Sequence, residues 1–327
     1  MDNLNNHSEE GRIDSLEILV PVYNEETCFS EFIYRTILAF KDVPYVWKVI
    51  FINDGSTDSS LEIIKKKCQV HKNFQYISLS RNFGKEAALS AGLHYSCADA
   101  VAIIDADLQD PPELIPDMIK MLEEKNADTV FAKRRNRVGE SWLKKTTAAL
   151  FYKVFDHLSR FNFPRDTGDF RIIRKRVVSV LQIMNEKNRF MKGLFAWVGF
   201  HQVEFIYDRD ARYQGESKFN FWKLWSFAID GITAFTTIPL KLATYTGLLF
   251  SLLAIGYGFY FIVKTLIWGD SVKGFPTLIV VLSFLSGVQL MFLGIIGEYV
   301  ARVHDEVKNR PLYVIDEANC SRGDSMK

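Results

Sequence analysis

Two carboxylates separated by a single residue, Asp105 and Asp107, follow a short apolar run in the first half of the chain. That run, residues 100–104, has the length and the branched side chains of a strand buried on both faces, so the carboxylates fall where the strand leaves its sheet. A turn can bring both side chains into one cavity, with the amide of Gln109 beside them. Oxygen ligands of this kind suit Mg²⁺ or Mn²⁺, which keep open positions for phosphate oxygens. The motif alone fits equally well an acidic turn that caps the helix beginning near Pro112.

The elements that must position these carboxylates alternate strand with helix. The predicted strands are residues 16–20, 47–52, 74–78, 100–104 and 129–132, with helices at about 28–41, 86–95 and 112–125. This alternation predicts an α/β fold with a largely parallel sheet and helices on both faces. Polar residues recur at the strand ends as Glu25, Asp54 and Asp105, and ligands of open α/β sheets bind at that edge. Asp54 either accepts hydrogen bonds from a uracil or a ribose, or is a turn aspartate.

Composition and motifs exclude several classes of protein. Lys and Arg total 40 against 39 acidic residues, so the charge balance predicts no nucleic-acid partner. Neither a G-x-G-x-x-G nor a P-loop pattern occurs in the sequence, which disfavours dinucleotide and P-loop chemistry. The 4 cysteines show no metal or redox spacing, which suits a reducing compartment. Residues 1–14 are polar and acidic, and are predicted to be a disordered tail rather than a signal peptide.

The last third of the chain is strongly apolar. Uncharged runs separate Lys241 from Lys264 and Lys273 from Glu298, and each can cross a hydrocarbon core of roughly 30 Å at about 1.5 Å per residue. We therefore predict a hairpin of two transmembrane helices, about 242–264 and 275–297, within residues 239–300, rather than buried core helices. Positive charge flanks both outer ends, which places both termini, including a tail over 301–327, in the cytoplasm.

Two amphipathic stretches are predicted to lie at the membrane surface. Lys144 and Lys145 open an apolar segment with aromatic residues at helical spacing, downstream of a basic run that contains Arg134. Such a helix would lie in the headgroup layer and present cations to a lipid phosphate. Residues 216–238, which place several aromatic side chains close to one face, form the second stretch. A plain packing helix is the alternative for the first stretch.

At this point the chain resembles a known family. The motifs PVYNEE at 21–26, NDGS at 53–56 and DADLQDP at 105–111 resemble the family 2 inverting glycosyltransferases of the GT-A fold, whose catalytic domain would span 15–215. Further motifs resemble the polyprenyl-phosphate glycosyltransferases, and most of all the bactoprenol (undecaprenyl-phosphate) glucosyltransferases of O-antigen modification. They are TGDFR at 167–171, FMKG at 190–193, WVG at 197–199, GESKFN at 215–220 and GEY at 297–299.

That resemblance implies roles for the polar residues. The residues that would hold the nucleotide sugar are Pro21, Tyr23, Glu25, Asp54, Asp105, Ala106, Arg212 and Lys218. The residues that would hold Mg²⁺ or Mn²⁺ on the diphosphate are Asp105, Asp107 and Gln109. The residues that would contact the acceptor phosphate are Arg134, Lys144 and Lys145. Arg212 and Lys218 lie on a loop that either closes over the diphosphate or is a solvated basic loop.

The resemblance makes Asp107, Asp169 and Arg212 the catalytic set. Asp169 takes the place where inverting relatives keep a general base. A phosphate monoester has a second pKa of about 6, so it is mostly ionised at neutral pH without help. Asp169 is therefore expected to orient Arg171 or the acceptor rather than to remove a proton, and the role of a general base is the alternative.

The function that the resemblance implies is inverting, metal-dependent transfer of glucose from UDP-glucose to undecaprenyl phosphate. It would occur on the cytoplasmic face of the bacterial inner membrane, in a multi-pass protein linked functionally to a flippase and a downstream glucosyltransferase. The alternatives are the same chemistry with a mannose or modified arabinose donor, or a non-catalytic, membrane-tethered sugar-nucleotide binder. Glycines in the apolar helices permit close packing, either within the hairpin or in a homo-oligomer.

Overall fold

The computed structural model describes residues 12–134, 167–184, 186–187, 189–207, 238–268 and 274–320. The strands in these residues are β1 (Ser15–Val22), β2 (Val46–Asn53), β3 (Phe74–Leu79), β4 (Ala100–Ile103), β5 (Thr129–Arg134), β6 (Thr167–Arg174), β7 (Gln202–Tyr207) and β8 (Ile315–Ala318). The helices are α1 (Phe29–Ala39), α2 (Ser60–Val70), α3 (Lys85–Tyr95), α4 (Ile115–Glu124), α5 (Lys175–Ile183), α6 (Met191–Trp197), α7 (Ile238–Trp268) and α8 (Phe275–Val307), with a 3-10 turn at Pro112–Leu114.

The described strands form one mixed sheet in the order β7-β5-β6-β4-β1-β2-β3-β8. The pairs β4-β1, β1-β2 and β2-β3 are parallel, as is β5-β7. β6 runs antiparallel to both β4 and β5, and β8 runs antiparallel to β3. The predicted α/β fold with a mostly parallel sheet is thus confirmed, with two antiparallel strands that the sequence pattern did not indicate.

Helices cover both faces of the central strands. Ile18, Leu19 and Val20 of β1 are all fully buried, and because successive side chains of a strand point to opposite faces, both faces of β1 are covered. Phe29 of α1 packs against Phe51 of β2, with ring centroids 4.8 Å apart. The continuous apolar runs of the sequence therefore correspond to strands buried on both sides.

Small side chains let α3 approach the other face of the sheet closely. A Cβ atom added to Gly92 would lie 3.0 Å from Cδ1 of Ile52 and 3.1 Å from Cδ1 of Leu19. Every residue between positions 87 and 93 is buried. This close packing fixes the first residue of α3, Lys85, at the carboxyl edge of the parallel strands.

The C-terminal segment completes one edge of the sheet. The Ser80 N–H donates to the carbonyl oxygen of Val314 at 2.9 Å, and the Tyr76 N–H donates to Oδ1 of Asn319 at 2.6 Å. Lys65 of α2 forms an ion pair with Glu317. The segment predicted as a C-terminal tail over 301–327 contains the end of α8 and strand β8, and its cytoplasmic location stays a prediction.

The start of the described chain is also ordered. Ile13 is buried, its N–H donates to Oε1 of Glu123 at 2.8 Å, and the carbonyl of Asp14 accepts from the N–H of Val46 at 3.0 Å. The predicted tail over 1–14 thus differs at its last three residues, and residues 1–11 lie outside the described part.

Helices α7 and α8 belong to a second compact unit. Within it, the rings of Phe250 and Phe284 meet edge to face with centroids 5.7 Å apart. In the described residues, Phe284–Val307 is long and apolar enough to cross a membrane, and Ala243–Tyr257 is a shorter apolar stretch. A topology with two transmembrane helices stays a prediction. Large apolar side chains such as Leu253, Leu290 and Val303 are exposed along these helices.

Candidate active site

The acidic motif forms a tight turn directly after β4. The Gln109 N–H donates to Oδ1 of Asp107 at 3.1 Å, which is the local hydrogen bond typical of an aspartate turn. Leu108 has a φ of 59°, a left-handed conformation that is uncommon for a branched residue and concentrates at functional sites. Ala106 and Leu108 are buried beneath the turn. The motif therefore reverses the chain at the carboxyl edge of the sheet, as the sequence predicted.

One lysine joins two carboxylates that lie far apart in the sequence. The Nζ atom of Lys85 lies 2.6 Å from Oδ1 and 2.8 Å from Oδ2 of Asp105. The same atom lies 2.5 Å from Oδ2 of Asp169, at the start of β6. Lys192 of α6 lies 3.8 Å from Oδ1 of Asp169. The structure thus brings Asp105 and Asp169 into one site.

The lysines control the charge of this site. Burial would raise the pKa of Asp169, but the charges of Lys85 and Lys192 outweigh it and hold that pKa well below its usual range. Burial would lower the pKa of Lys85, yet Asp105 and Asp169 raise it above its ordinary value. At neutral pH Asp169 is therefore ionised beside the ammonium group of Lys85.

A buried arginine supports the backbone that carries Asp169. The guanidinium of Arg171 donates to the carbonyl oxygens of Asp169 at 3.3 Å and of Gly168 at 3.1 Å. It lies 4.0 Å from the ring centroid of Phe195. Burial lowers the pKa of Arg171 to about 10, with Asp169 opposing the change. Arg171 thus contacts the main chain of Asp169 and fixes the position of its side chain.

Glu86 adds a titratable group beside the pair. Its Oε2 accepts the N–H of Met191 at 3.1 Å, which ties α3 to the first turn of α6. Burial raises the pKa of Glu86 to about 7, and the charge of Asp169 adds to that rise.

Asp54 holds the loop that leads into α3. Its Oδ1 accepts the N–H of Phe83 at 2.8 Å, and its Oδ2 accepts the N–H of Gly84 at 3.0 Å. The adjacent Gly55 has a φ of +65°, and a Cβ atom there would lie 2.4 Å from the backbone carbon of Arg81. Asp54 therefore positions the backbone just before Lys85, and its contact with a uridine stays a prediction.

Hydrogen bonds join the loops after β1 and β2 at the same carboxyl edge of the sheet. The Glu25 N–H donates to Oγ of Ser60 at 3.0 Å, and the Thr57 N–H donates to Oδ1 of Asn24 at 2.8 Å. Pro21 lies within β1, opposite Ile52. Tyr23 is 44% exposed, so its ring is accessible to a ligand at this edge.

The carboxylate oxygens of Asp105 and Asp107 suit a divalent cation that takes its remaining ligands from a bound phosphate and from water. Within the described ranges, no group of three or more His, Cys, Asp or Glu side chains is placed to hold a metal. Asp105 and Asp107 are hard oxygen donors, and a Mg²⁺ site with one or two protein carboxylates takes its other ligands from phosphates and water. Gln109 is buried, and the neighbouring Asp110 accepts the hydroxyl hydrogen of Tyr207.

Several predicted site residues lie outside the part of the chain that the structure describes. They are Lys144, Lys145, Arg212 and Lys218. Arg134 ends β5, but its side chain also falls outside the description. The predicted interfacial stretch over 216–238 is undescribed up to residue 237.

A cavity of about 1440 Å³ lies at the opposite, amino edge of the parallel strands. Its lining includes Tyr45, Glu123 and Arg174, and none of the predicted site residues. The residues predicted to bind the substrates or to take part in the reaction therefore do not line this cavity.

The family of the chain follows from comparison with known proteins. Residues 17–181 match glycosyl transferase family 2, and residues 238–303 match the GtrB C-terminal hairpin. The chain belongs to glycosyl transferase family 2 and is a glycosyltransferase, which confirms the resemblance drawn from its motifs.

Two relatives are similar over almost the whole chain. The bactoprenol glucosyl transferase of Shigella phage SfII is 43% identical over 305 residues, 93% of this chain and 98% of that protein. An uncharacterized glycosyltransferase of Synechocystis sp. is 46% identical over 302 residues, 92% of this chain and 95% of that protein. Among solved structures, S. aureus TarS in complex with UDP-GlcNAc matches with a TM-score of 0.47 and 18% identity, over 67% of this chain and 66% of that chain.

Lys85 and Lys192 were not predicted as site residues. Lys85 directly follows the loop after β3, at the same edge as the acidic turn, and that position is the one signal that could have indicated it. Lys192 lies in the FMKG motif on which the family resemblance partly rests.

Proposed function

We propose that this glycosyltransferase transfers glucose from UDP-glucose to undecaprenyl phosphate, with inversion at the sugar carbon, on the cytoplasmic face of a bacterial inner membrane. The observation that carries the proposal is the joining of Asp105 and Asp169 through Lys85 at the carboxyl edge of the sheet. The 43% identity to a bactoprenol glucosyl transferase supports the glucose donor and the polyprenyl phosphate acceptor.

The donor half of the site is assigned to the turn after β4 and the loops after β1 and β2. Asp105 and Asp107, with Gln109, would hold Mg²⁺ or Mn²⁺ on the diphosphate, and Tyr23 offers an accessible ring for the nucleotide. When bound, the ion offsets the negative charge that develops on UDP as its bond to the sugar breaks.

The acceptor half is assigned to the side of Asp169. One oxygen of the lipid phosphate forms the new bond to the sugar carbon, and UDP leaves with the electron pair of the broken bond from the opposite face. The acceptor phosphate is mostly ionised at neutral pH, since its second pKa is about 6. Asp169, whose pKa is held low by the lysines, is a poor proton acceptor and is therefore proposed to orient the acceptor.

A lipid acceptor requires the enzyme to be attached to the membrane. A polyprenyl tail cannot leave the bilayer without exposing a large apolar surface to water, so the enzyme must work at the membrane surface. The exposed apolar side chains along α8, in Phe284–Val307, support insertion of that helix. We propose that α7 spans the bilayer too and that both chain ends are cytoplasmic.

The test uses the purified full-length chain in detergent with Mg²⁺ and undecaprenyl phosphate. We expect UDP release from UDP-glucose only when the lipid phosphate is present. Release of nucleotide only from GDP-mannose or a modified arabinose donor would replace glucose by that sugar. No release with any donor would reject the catalytic proposal and favour a sugar-nucleotide binder.

A further inference from the structure

We propose that Lys85 is a positioning residue that holds the Asp105–Asp169 pair ready for the reaction and keeps a divalent cation from binding tightly to Asp105 before the nucleotide arrives. This inference rests on the proposed function, because it assigns the regulation of cation binding in the same site.

Lys85 is well placed for this role. Its ammonium contacts both carboxylate oxygens of Asp105 and one oxygen of Asp169 at 2.5 to 2.8 Å. Its side chain keeps 38% exposure, so ligands can reach the group. Two carboxylates that share one ammonium repel each other once that charge is removed. Lys85 therefore keeps the donor-side and acceptor-side aspartates close together.

The backbone holds Lys85 at this point. Gly84, with a φ of +96°, donates its N–H to Oδ2 of Asp54 at 3.0 Å, immediately before α3 begins. The close packing at Gly92 fixes α3 against the sheet. The backbone of Lys85 is consequently held in place, and its ammonium group reaches the carboxylates from that fixed position.

The positive charge of Lys85 also repels a divalent cation that binds to Asp105. A divalent ion on Asp105 would lie within a few ångströms of the ammonium and would compete with it for the same oxygens. The diphosphate of a bound nucleotide adds negative charge that offsets this repulsion. The charges therefore favour entry of the cation together with the diphosphate over binding of the cation alone.

Lys85→Met separates this role from a structural one, because two measurements should move in opposite directions. We expect the affinity for Mn²⁺ alone, read from the EPR signal of free Mn²⁺ with the full-length protein, to increase by about tenfold or more. We expect kcat for sugar transfer to fall, since Asp169 loses the nearer of its two lysine partners. A loosened fold would weaken both.

Matched variants control the measurement. Lys85→Arg keeps the positive charge and should leave the Mn²⁺ affinity within about twofold of the wild type. Lys65→Met removes a surface lysine that pairs with Glu317, and should change neither quantity. Should Lys85→Met fail to fold, Asp169→Asn provides a second measurement: it leaves the ammonium to Asp105 alone and should weaken Mn²⁺ binding.

An unchanged or weaker Mn²⁺ affinity in a folded Lys85→Met protein would overturn the inference, as would an unchanged affinity in Asp169→Asn. Mn²⁺ binding needs no turnover, so this failure is distinct from failure of the proposed reaction, which the UDP-release assay detects. If neither the wild type nor Lys85→Met binds Mn²⁺, the cation site and the inference fall together.

Discussion

The hydroxyl group of Tyr313 lies 2.7 Å from Nδ1 of His94, and Nε2 of the same ring lies 3.1 Å from the carbonyl oxygen of Gln182. A carbonyl oxygen only accepts, so Nε2 carries the hydrogen, and in the neutral ring Nδ1 accepts the hydrogen of Tyr313. His94 lies in α3, the helix that begins with Lys85. The segment that follows α8 is thereby bonded to the helix that carries the site lysine.

Removing that hydroxyl group tests how firmly the C-terminal segment is held. Tyr313→Phe should lower the free energy of unfolding by about 1 kcal/mol, because Nδ1 of His94 loses its donor. Chemical unfolding of the full-length protein measures this change. Tyr34→Phe, at a side chain that is 60% exposed, is the control. Equal stability of the two variants would show that the Tyr313 contact contributes nothing.

The two aspartates that we propose to take part in the reaction, Asp107 and Asp169, should differ in their effect on turnover. Asp107→Asn should lower kcat by about 100-fold or more, because the proposed cation ligand is lost. Asp169→Asn should lower it by only about tenfold, because orientation of the acceptor is impaired while its phosphate stays ionised. The acidic limb of the pH profile, at about 6, belongs to the acceptor and should persist in Asp169→Asn. Equal abolition of activity in two folded variants would instead favour a general base.

Glu86 should make stability depend on pH. Its pKa rises from 4.5 to about 7 on folding, so the folded state binds more protons than the unfolded state between these values. Stability should therefore fall as pH rises from about 4.5 to about 7, by at most about 3 kcal/mol, and level off above. Glu86→Gln, which keeps an acceptor for Met191, should flatten this dependence in unfolding curves measured across that range. An identical pH slope in both proteins would contradict the assignment.

Two glycines, Gly55 in the loop after β2 and Gly84 directly before α3, allow backbone strain to be compared with steric collision. Both have positive φ, but a Cβ at Gly55 meets the backbone of Arg81 at 2.4 Å, whereas at Gly84 nothing lies within 4 Å. Gly84→Ala should cost about 1 to 3 kcal/mol from backbone conformation alone, because its φ of 96° and ψ of 154° form a combination that side-chain-bearing residues rarely adopt. Gly55→Ala should cost clearly more and also raise KM for the nucleotide sugar, since the loop must move. Equal costs for the two variants would rule out the close contact.

Much of the sheet could be predicted from the sequence because its strands are continuous apolar runs. The predicted strands at 16–20 and 47–52 correspond to β1 and β2, and the turn at Asp105 follows β4 as expected. These runs are readable because burial on both faces leaves only one charged position in each, Glu17 in the first and Lys48 in the second. The shared edge of Glu25, Asp54 and Asp105 follows from parallel topology alone.

The remaining features depend on contacts between distant parts of the chain. β6 contains three charged residues, Asp169, Arg171 and Arg174, so its sequence does not have the apolar pattern of a buried strand. It is recognised as a strand only from its pairing with β4 and β5. β8 is only four residues long and two of the four are acidic, so the sequence predicted a tail at this position. The role of Lys85 depends on two carboxylates that are 20 and 84 positions away.

The most direct test of the central claim follows the sugar itself. Purified full-length protein is given UDP-glucose labelled in the sugar, undecaprenyl phosphate and Mg²⁺, and the label is then partitioned between water and organic solvent. We expect label to enter the lipid fraction with the wild-type protein and to stay in water with Asp107→Asn. Label that stays in water with the wild-type protein, or reaches lipid equally with Asp107→Asn, would contradict the proposed function.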